Sequence, residues 1–185
     1  MKVPEIFEKM RDRRLLFDMD IEFALFVSEL AEKNCGMNAE NIFSAAAFAS
    51  NSVLRGKNIC LDLGRLAGKS FLEYFIISGE ETALEENQSD IEKHHFPPLE
   101  KWTEELEKSG ICGKPGDFKI LIADAKNRLY LYKYFLAEKS LAEKIIGKIR
   151  EKNHEVGSEQ LKRLLDKYFP DQNTSEGSDL QRLAA

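Results

Sequence analysis

No apolar run in this chain approaches the ~20 residues that a membrane-spanning helix needs. The opening residues, Met1-Lys2-Val3-Pro4-Glu5, hold no apolar core of a secretion signal. Cysteine is scarce: Cys35, Cys60 and Cys112 lie far apart and are odd in number. That argues against a disulfide framework and for reduced, mostly structural thiols, so a cytoplasmic protein is expected. Cations are outnumbered as well. With 27 Lys and Arg against 32 Asp and Glu the net charge is −5, which lacks the electrostatic footprint of a nucleic-acid binder. No internal repeat is visible.

The remaining composition is that of a soluble globular domain, 43% hydrophobic and 32% charged over 185 residues. A chain of this size buries roughly 70% of its unfolded surface and needs no staples.

The first residues are mixed: Ile6, Phe7 and Met10 are apolar, and Arg11, Arg13 and Arg14 suit a solvated helix face. Asp18 or Asp20 starts a helix with the stripe Ile21, Phe23, Ala24, Phe26, Val27 and Leu30, stopped at Gly36. Asn38 caps a second helix over 39–55, rich in small residues (Ala45, Ala46, Ala47, Ala49) that let another helix come close. A short strand is expected over 58–63. The acidic and polar stretch 79–96 reads as a long surface connection. Pro97-Pro98 opens a helix with Trp102 and Leu106 inward, and Gly110, Gly113, Pro115 and Gly116 end it.

Two stretches imitate chemistry. Gly64-Arg65-Leu66-Ala67-Gly68-Lys69-Ser70 follows a strand and precedes a helix, the setting of a P-loop, and Ile120 to Asp124 imitates the apolar strand ending in an Mg²⁺-holding Asp. Only three residues separate the glycines, where the phosphate cradle needs four. His94-His95 are adjacent, so their side chains point apart and make a poor metal pair.

The chain reads as organised around Arg128 to Ala142. Phe118 to Ala123 and Arg128 to Tyr134 are β-prone runs joined by Asp124-Ala125-Lys126-Asn127, an antiparallel hairpin. Alternation puts Leu129 and Leu131 on one face and Tyr130, Tyr132 and Tyr134 on the other. After Phe135 the period becomes helical, with Leu136, Leu141, Ile145, Ile146 and Ile149 on one side. A further helix at 159–168, begun by Ser158, ends at Pro170. Residues 171–178 are a polar linker, and 179–185 start a helix that is expected to continue in a longer chain. The fold expected is mainly α with a small three-stranded antiparallel sheet (58–63, 118–123, 128–134), a helical bundle plus hairpin that is winged-helix-like in outline.

Five blocks carry a resemblance. Asp20-Ile21-Glu22-Phe23-Ala24 is similar to a D-x-x-F-A helix. Ala45-Ala46-Ala47 and then Gly56 to Leu63 resemble an Ala-rich helix and a G-H-V-C-L-x-L strand. Pro98-Leu99-Glu100-Lys101-Trp102 with Ser109-Gly110 resembles an L-x-x-W … S-G helix. Arg128-Leu129-Tyr130-Leu131, then Tyr134-Phe135, Glu138 and Leu141-Ala142, resembles a hairpin-to-helix segment. Leu161 to Pro170 and Asp179 to Ala185 resemble a lead-in to a helicase domain. In this order they resemble the N-terminal domain of RecD, the alpha subunit of exodeoxyribonuclease V, the RecBCD helicase–nuclease. The sequence departs at Asn58, where the family usually has His, at Phe135, often Trp, and at Ala137, often aromatic.

The resemblance implies a non-catalytic domain, residues 1–170, that docks a motor subunit onto RecC and through it RecB, in double-strand-break repair and recombination. Residues 171–185 would be the linker and the start of the first helicase domain. The ATP and Mg²⁺ of the 5′-to-3′ motor belong to a region beyond residue 185, so no catalytic, cofactor or metal residue carries over, and DNA is met only through the intact complex. Tyr130, Tyr132, Tyr134 and Phe135 form the candidate interaction surface. Two alternatives stand beside this reading: a free-standing winged-helix-like DNA binder or adaptor, and a small nucleotide-binding enzyme using 64–70.

The broken glycine spacing predicts that calorimetric titration with ATP-Mg²⁺ gives no micromolar binding. Micromolar binding that Lys69→Ala abolishes would revive the enzyme reading.

Overall fold

The helix predicted over 39–55 is the centre of the molecule's first unit, and the reason lies in its side chains. In a computed structural model describing residues 2–36, 38–79, 88–150 and 158–168, α3 (Glu40–Leu54) buries every residue from Ile42 to Ser52. Such all-round burial needs neighbours on every side. Its alanines admit α2 (Asp18–Cys35), which packs with Ile21, Ala24, Val27 and Ala31. Asn38 Oδ1 accepts the Glu40 N–H at 3.0 Å at the helix start. On its other flanks lie α1 (Glu5–Asp12), α5 (Phe71–Ser78) and α7 (Leu99–Lys108), while α6 (Gln88–Glu92) packs on α1 and α5 and α4 (Leu63–Leu66) lies against the sheet.

Phe48 of α3 sits at the middle of an aromatic cluster. The rings of Tyr74 and Phe96 lie 4.7 and 4.9 Å from it and Phe71 at 5.0 Å, with Phe7 at 6.0 Å. These are the tilted and edge-on arrangements that ring quadrupoles favour. Trp102, predicted inward, stacks on Phe96 and donates Nε1–H to the Asn41 carbonyl at 3.2 Å. The connection predicted to run over the surface to residue 96 is surface only in part. Ile91 and Phe96 are core residues, and residues 80–87 lie outside the described ones.

One charged side chain is wholly buried in this core. Asp20 Oδ1 accepts from Ser50 Oγ at 2.6 Å. Its Oδ2 accepts from Asn51 Nδ2 at 3.1 Å and from the Phe17 N–H at 3.0 Å. Asn51 Nδ2 also reaches the Leu15 carbonyl at 3.1 Å, and Asn51 Oδ1 accepts from the Tyr74 hydroxyl at 3.0 Å. The carboxylate thus has three donors and no cation among these contacts. It caps α2 and ties that helix to α3 and, through Asn51, to α5.

The sheet has four strands in the order β1-β4-β3-β2: β1 (Leu61–Asp62), β2 (Cys112–Gly113), β3 (Leu121–Ala123) and β4 (Arg128–Leu131). The predicted hairpin is β3–β4, antiparallel, with Ile122 opposite Tyr130. Asn127 takes a left-handed φ of 58°, which its short amide side chain tolerates. Asp124 pins the turn. Its Oδ1 accepts the Lys126 and Arg128 N–H groups, both at 2.9 Å, and its Oδ2 accepts Arg128 Nε at 2.7 Å. The three-stranded antiparallel expectation is corrected to a mixed sheet, because β2 joins β3 in parallel. A two-residue strand among Gly110, Gly113 and Pro115 has the local signals of a turn, and only tertiary pairing makes it a strand. β1 and β3 are also shorter than the predicted 58–63 and 118–123.

The largest correction lies at β4. The strand stops at Leu131, and α8 (Tyr132–Arg150) begins at the next residue. Tyr132 N–H bonds the Ile120 carbonyl at 3.0 Å, after which no strand lies opposite. Without ladder partners the backbone satisfies itself as helix. The second unit, Ala142–Ala185, holds the rest of α8 and α9 (Ser158–Tyr168). The predicted segments at 169–170 and 171–185 fall outside the described residues.

Replacing Asp20 by Ala takes the acceptor from two buried donors, Ser50 and Asn51, and from the partly buried Phe17 N–H, so D20A should lose about 3–5 kcal/mol of stability in urea unfolding. Tyr74→Phe, which removes one neutral hydrogen bond, should lose about 1 kcal/mol. Equal small losses at both sites would contradict the network.

Candidate interaction surface

The hairpin-to-helix segment distributes its four aromatic residues among different environments. Tyr130 is buried in the sheet. Phe135 lies edge-on to it at 5.6 Å, so the first turns of α8 close that face of the sheet over Ile122 and Tyr130. Burial raises the Tyr130 phenol well above its ordinary range, with the Cys60 and Glu138 charges acting the same way. Burial likewise pushes the Cys60 thiol up, more than its hydrogen bond with Tyr130 lowers it. Neither group is poised for chemistry near neutral pH.

Tyr132 is half-buried and meets Phe118 edge-on at 5.1 Å. Tyr134 is half-buried with Lys133 Nζ 5.9 Å from its ring. The four predicted residues therefore do not make one surface. Tyr130 is interior, Phe135 is its cover, and Tyr132 belongs to a different feature that the sequence reading missed.

That feature is an open groove of about 310 Å³ between α2, the β2–β3 connection and the start of α8. Leu30, Ile111 and Ile120 line it together with Phe118 and Tyr132. Phe118 is 85% exposed. Phe118 heads the β-prone run 118–123, but β3 begins only at Leu121, so residue 118 lies outside the strand. Phe26, assigned by periodicity to the core stripe of α2, is also outside, at 58% exposure.

A second apolar feature is the row Leu141, Ile145 and Ile149 on α8, a helix in which no residue is buried. The helical period read from the sequence holds there, whereas burial of its apolar side does not.

The two imitations of chemistry are structurally committed. Gly64 to Leu66 form α4, capped by Asp62, whose Oδ1 accepts the Arg65 N–H at 2.9 Å. Gly68 turns the chain at φ +72°, Lys69 pairs with Glu73 at 3.8 Å, and Ser70 caps α5. Burial would raise the Asp124 carboxyl, but the Arg128 side chain and two backbone N–H groups hold it below its ordinary value. His94 stacks on Phe71 at 6.1 Å, and His95 Nδ1 lies 3.1 Å from the Lys93 carbonyl. Among the described residues no group of three His, Cys, Asp or Glu could hold a metal ion, and no helix is long and apolar enough to cross a membrane.

Fold and surface together define a mainly helical module with a small mixed sheet and an open groove lined by apolar and aromatic residues. The family of the RecBCD enzyme subunit RecD, N-terminal domain, matches residues 12–130, and the chain belongs to that family. No match is found among curated proteins.

The separation of the aromatics predicts unequal losses. Tyr130→Ala should cost about 3–5 kcal/mol in chemical denaturation, as for a large core ring. Tyr134→Ala should cost under about 1 kcal/mol. Equal losses would mean that the two rings share one environment.

Proposed function

We propose that this chain is the non-catalytic docking domain of a RecD-like subunit of exodeoxyribonuclease V. Residues 1–170 hold the subunit on RecC and, through it, on RecB, and 171–185 lead towards a helicase motor. The motor, with its ATP and Mg²⁺, supplies 5′-to-3′ unwinding in double-strand-break repair and recombination in the cytoplasm, and the chain itself takes no cofactor. The family match over 12–130 is the observation that carries this reading. The apolar exposure of Phe118 supports it, because an exposed aromatic at the wall of a groove is a usual anchor of protein interfaces. A net charge of −5 supports protein rather than nucleic acid as the direct partner.

Co-expression with RecC and RecB of the same organism tests the proposal. The expected result is one complex on size exclusion at micromolar concentration, retained with RecC alone. Separate elution of the chain from both RecC and RecBC would contradict it.

A further inference from the structure

We infer that the groove beside Phe118 is the seat for an apolar anchor residue of the partner subunit, carried on a segment with a carboxylate beside that anchor. The inference rests on the docking reading and says which face does the work and what it takes.

The groove is assembled from three parts of the chain that the core already fixes. Leu30 comes from α2, and Ile111 is buried at the end of the α7 connection. The Leu121 N–H bonds the Ile111 carbonyl at 3.2 Å, and the Tyr132 N–H bonds the Ile120 carbonyl at 3.0 Å. Lys119 Nζ donates to the Gly110 carbonyl at 2.8 Å and straps the β2–β3 connection down. A cleft held this way needs little ordering when a side chain enters, so little affinity is lost to entropy. Phe118 stands at its wall against Tyr132, an aromatic pair of the kind that dominates interface energies.

Charge selects the occupant. Lys119 is the one charged residue among those lining the groove, and it is a cation in a chain of net charge −5. The larger cavity between α7 and the sheet differs: it is lined by Glu104, Glu107, Asp117 and Asp124. Those carboxylates are engaged with Lys108, Lys114 and Arg128 or with backbone N–H. A carboxylate on the partner segment meets a cation at this groove in Lys119. The α8 row is the competing face. It is one exposed helix side, and it lies beyond the family-matched residues 12–130. The groove lies almost wholly within them, Tyr132 alone falling two residues past the end.

The test is calorimetric titration of the full 185-residue chain with purified RecC of the same organism. Phe118→Ser should weaken binding at least about tenfold, as for an interface anchor. Lys119→Glu should weaken it at low salt, with the difference from wild type shrinking as salt is raised. Ile149→Ser should leave affinity within about twofold, as for an uninvolved surface site. Phe118 is exposed enough for its variant to keep the wild-type melting temperature, and Lys119→Glu gives an independent reading of the same groove. Wild-type affinity in both groove variants, with wild-type binding intact, overturns this inference and leaves the docking reading standing. Loss of binding in Ile149→Ser alone overturns it in favour of α8. Self-association of the chain that Phe118→Ser abolishes assigns the groove to a second copy and also overturns it. Absence of binding by the wild type overturns both readings.

Discussion

The rest of the structure depends on how one buried carboxylate is satisfied. An isolated ionised group taken out of water costs several kcal/mol, and Asp20 avoids that cost only because Ser50, Asn51 and the Phe17 N–H surround it. The Phe17 N–H is local to α2, but Ser50 and Asn51 come from α3, so their two bonds exist only when α2 and α3 are docked in one register. Asn51 extends the constraint in two directions, to the Leu15 carbonyl and to Tyr74 on α5. Apolar packing alone tolerates small slippages between helices. A network in which each member must find its partner does not, and it specifies a single arrangement.

From that frame the sheet and the exposed groove follow. α3 contacts β1 and β4 as well as α2 and α7, so the strands are laid on a helix already fixed by the polar knot. Asp124 then sets the hairpin register through three hydrogen bonds within one turn. Register decides that Leu121 pairs with Leu131, which in turn ends the ladder and releases Tyr132 into α8. Tyr132 therefore meets Phe118, and an outward aromatic pair results from inward constraints. In the proposed role, a rigid frame of this kind would present its anchor pocket without rearrangement.

Much of this was legible in the residues. The apolar period around Trp102 and Leu106, the Ala-rich second helix, and the polar turn between two β-prone runs all fold as they read, because in each the local preference and the tertiary environment agree. The family was legible from ordered blocks as well. What escaped reading needed partners distant in sequence. Asn51 is buried because of Asp20 and Tyr74, 31 and 23 residues away. β2 exists because β3 runs beside it. Tyr132 and Tyr134 leave the strand because the ladder ends where Leu131 pairs with Leu121, although their own β propensity would continue it. Phe118 heads a β-prone run, yet the strand begins only at Leu121 and leaves it exposed.

The central claim is that the Asp20 network makes α2, α3 and α5 one cooperative unit. Native-state hydrogen exchange across a denaturant series tests it most directly, since amides that open together share one free energy and one denaturant dependence. The account predicts that the slowest amides of α2, α3 and α5 converge on the same opening, equal to global unfolding. Exchange of α5 through a separate opening of lower free energy, with α2 and α3 still protected, would contradict it.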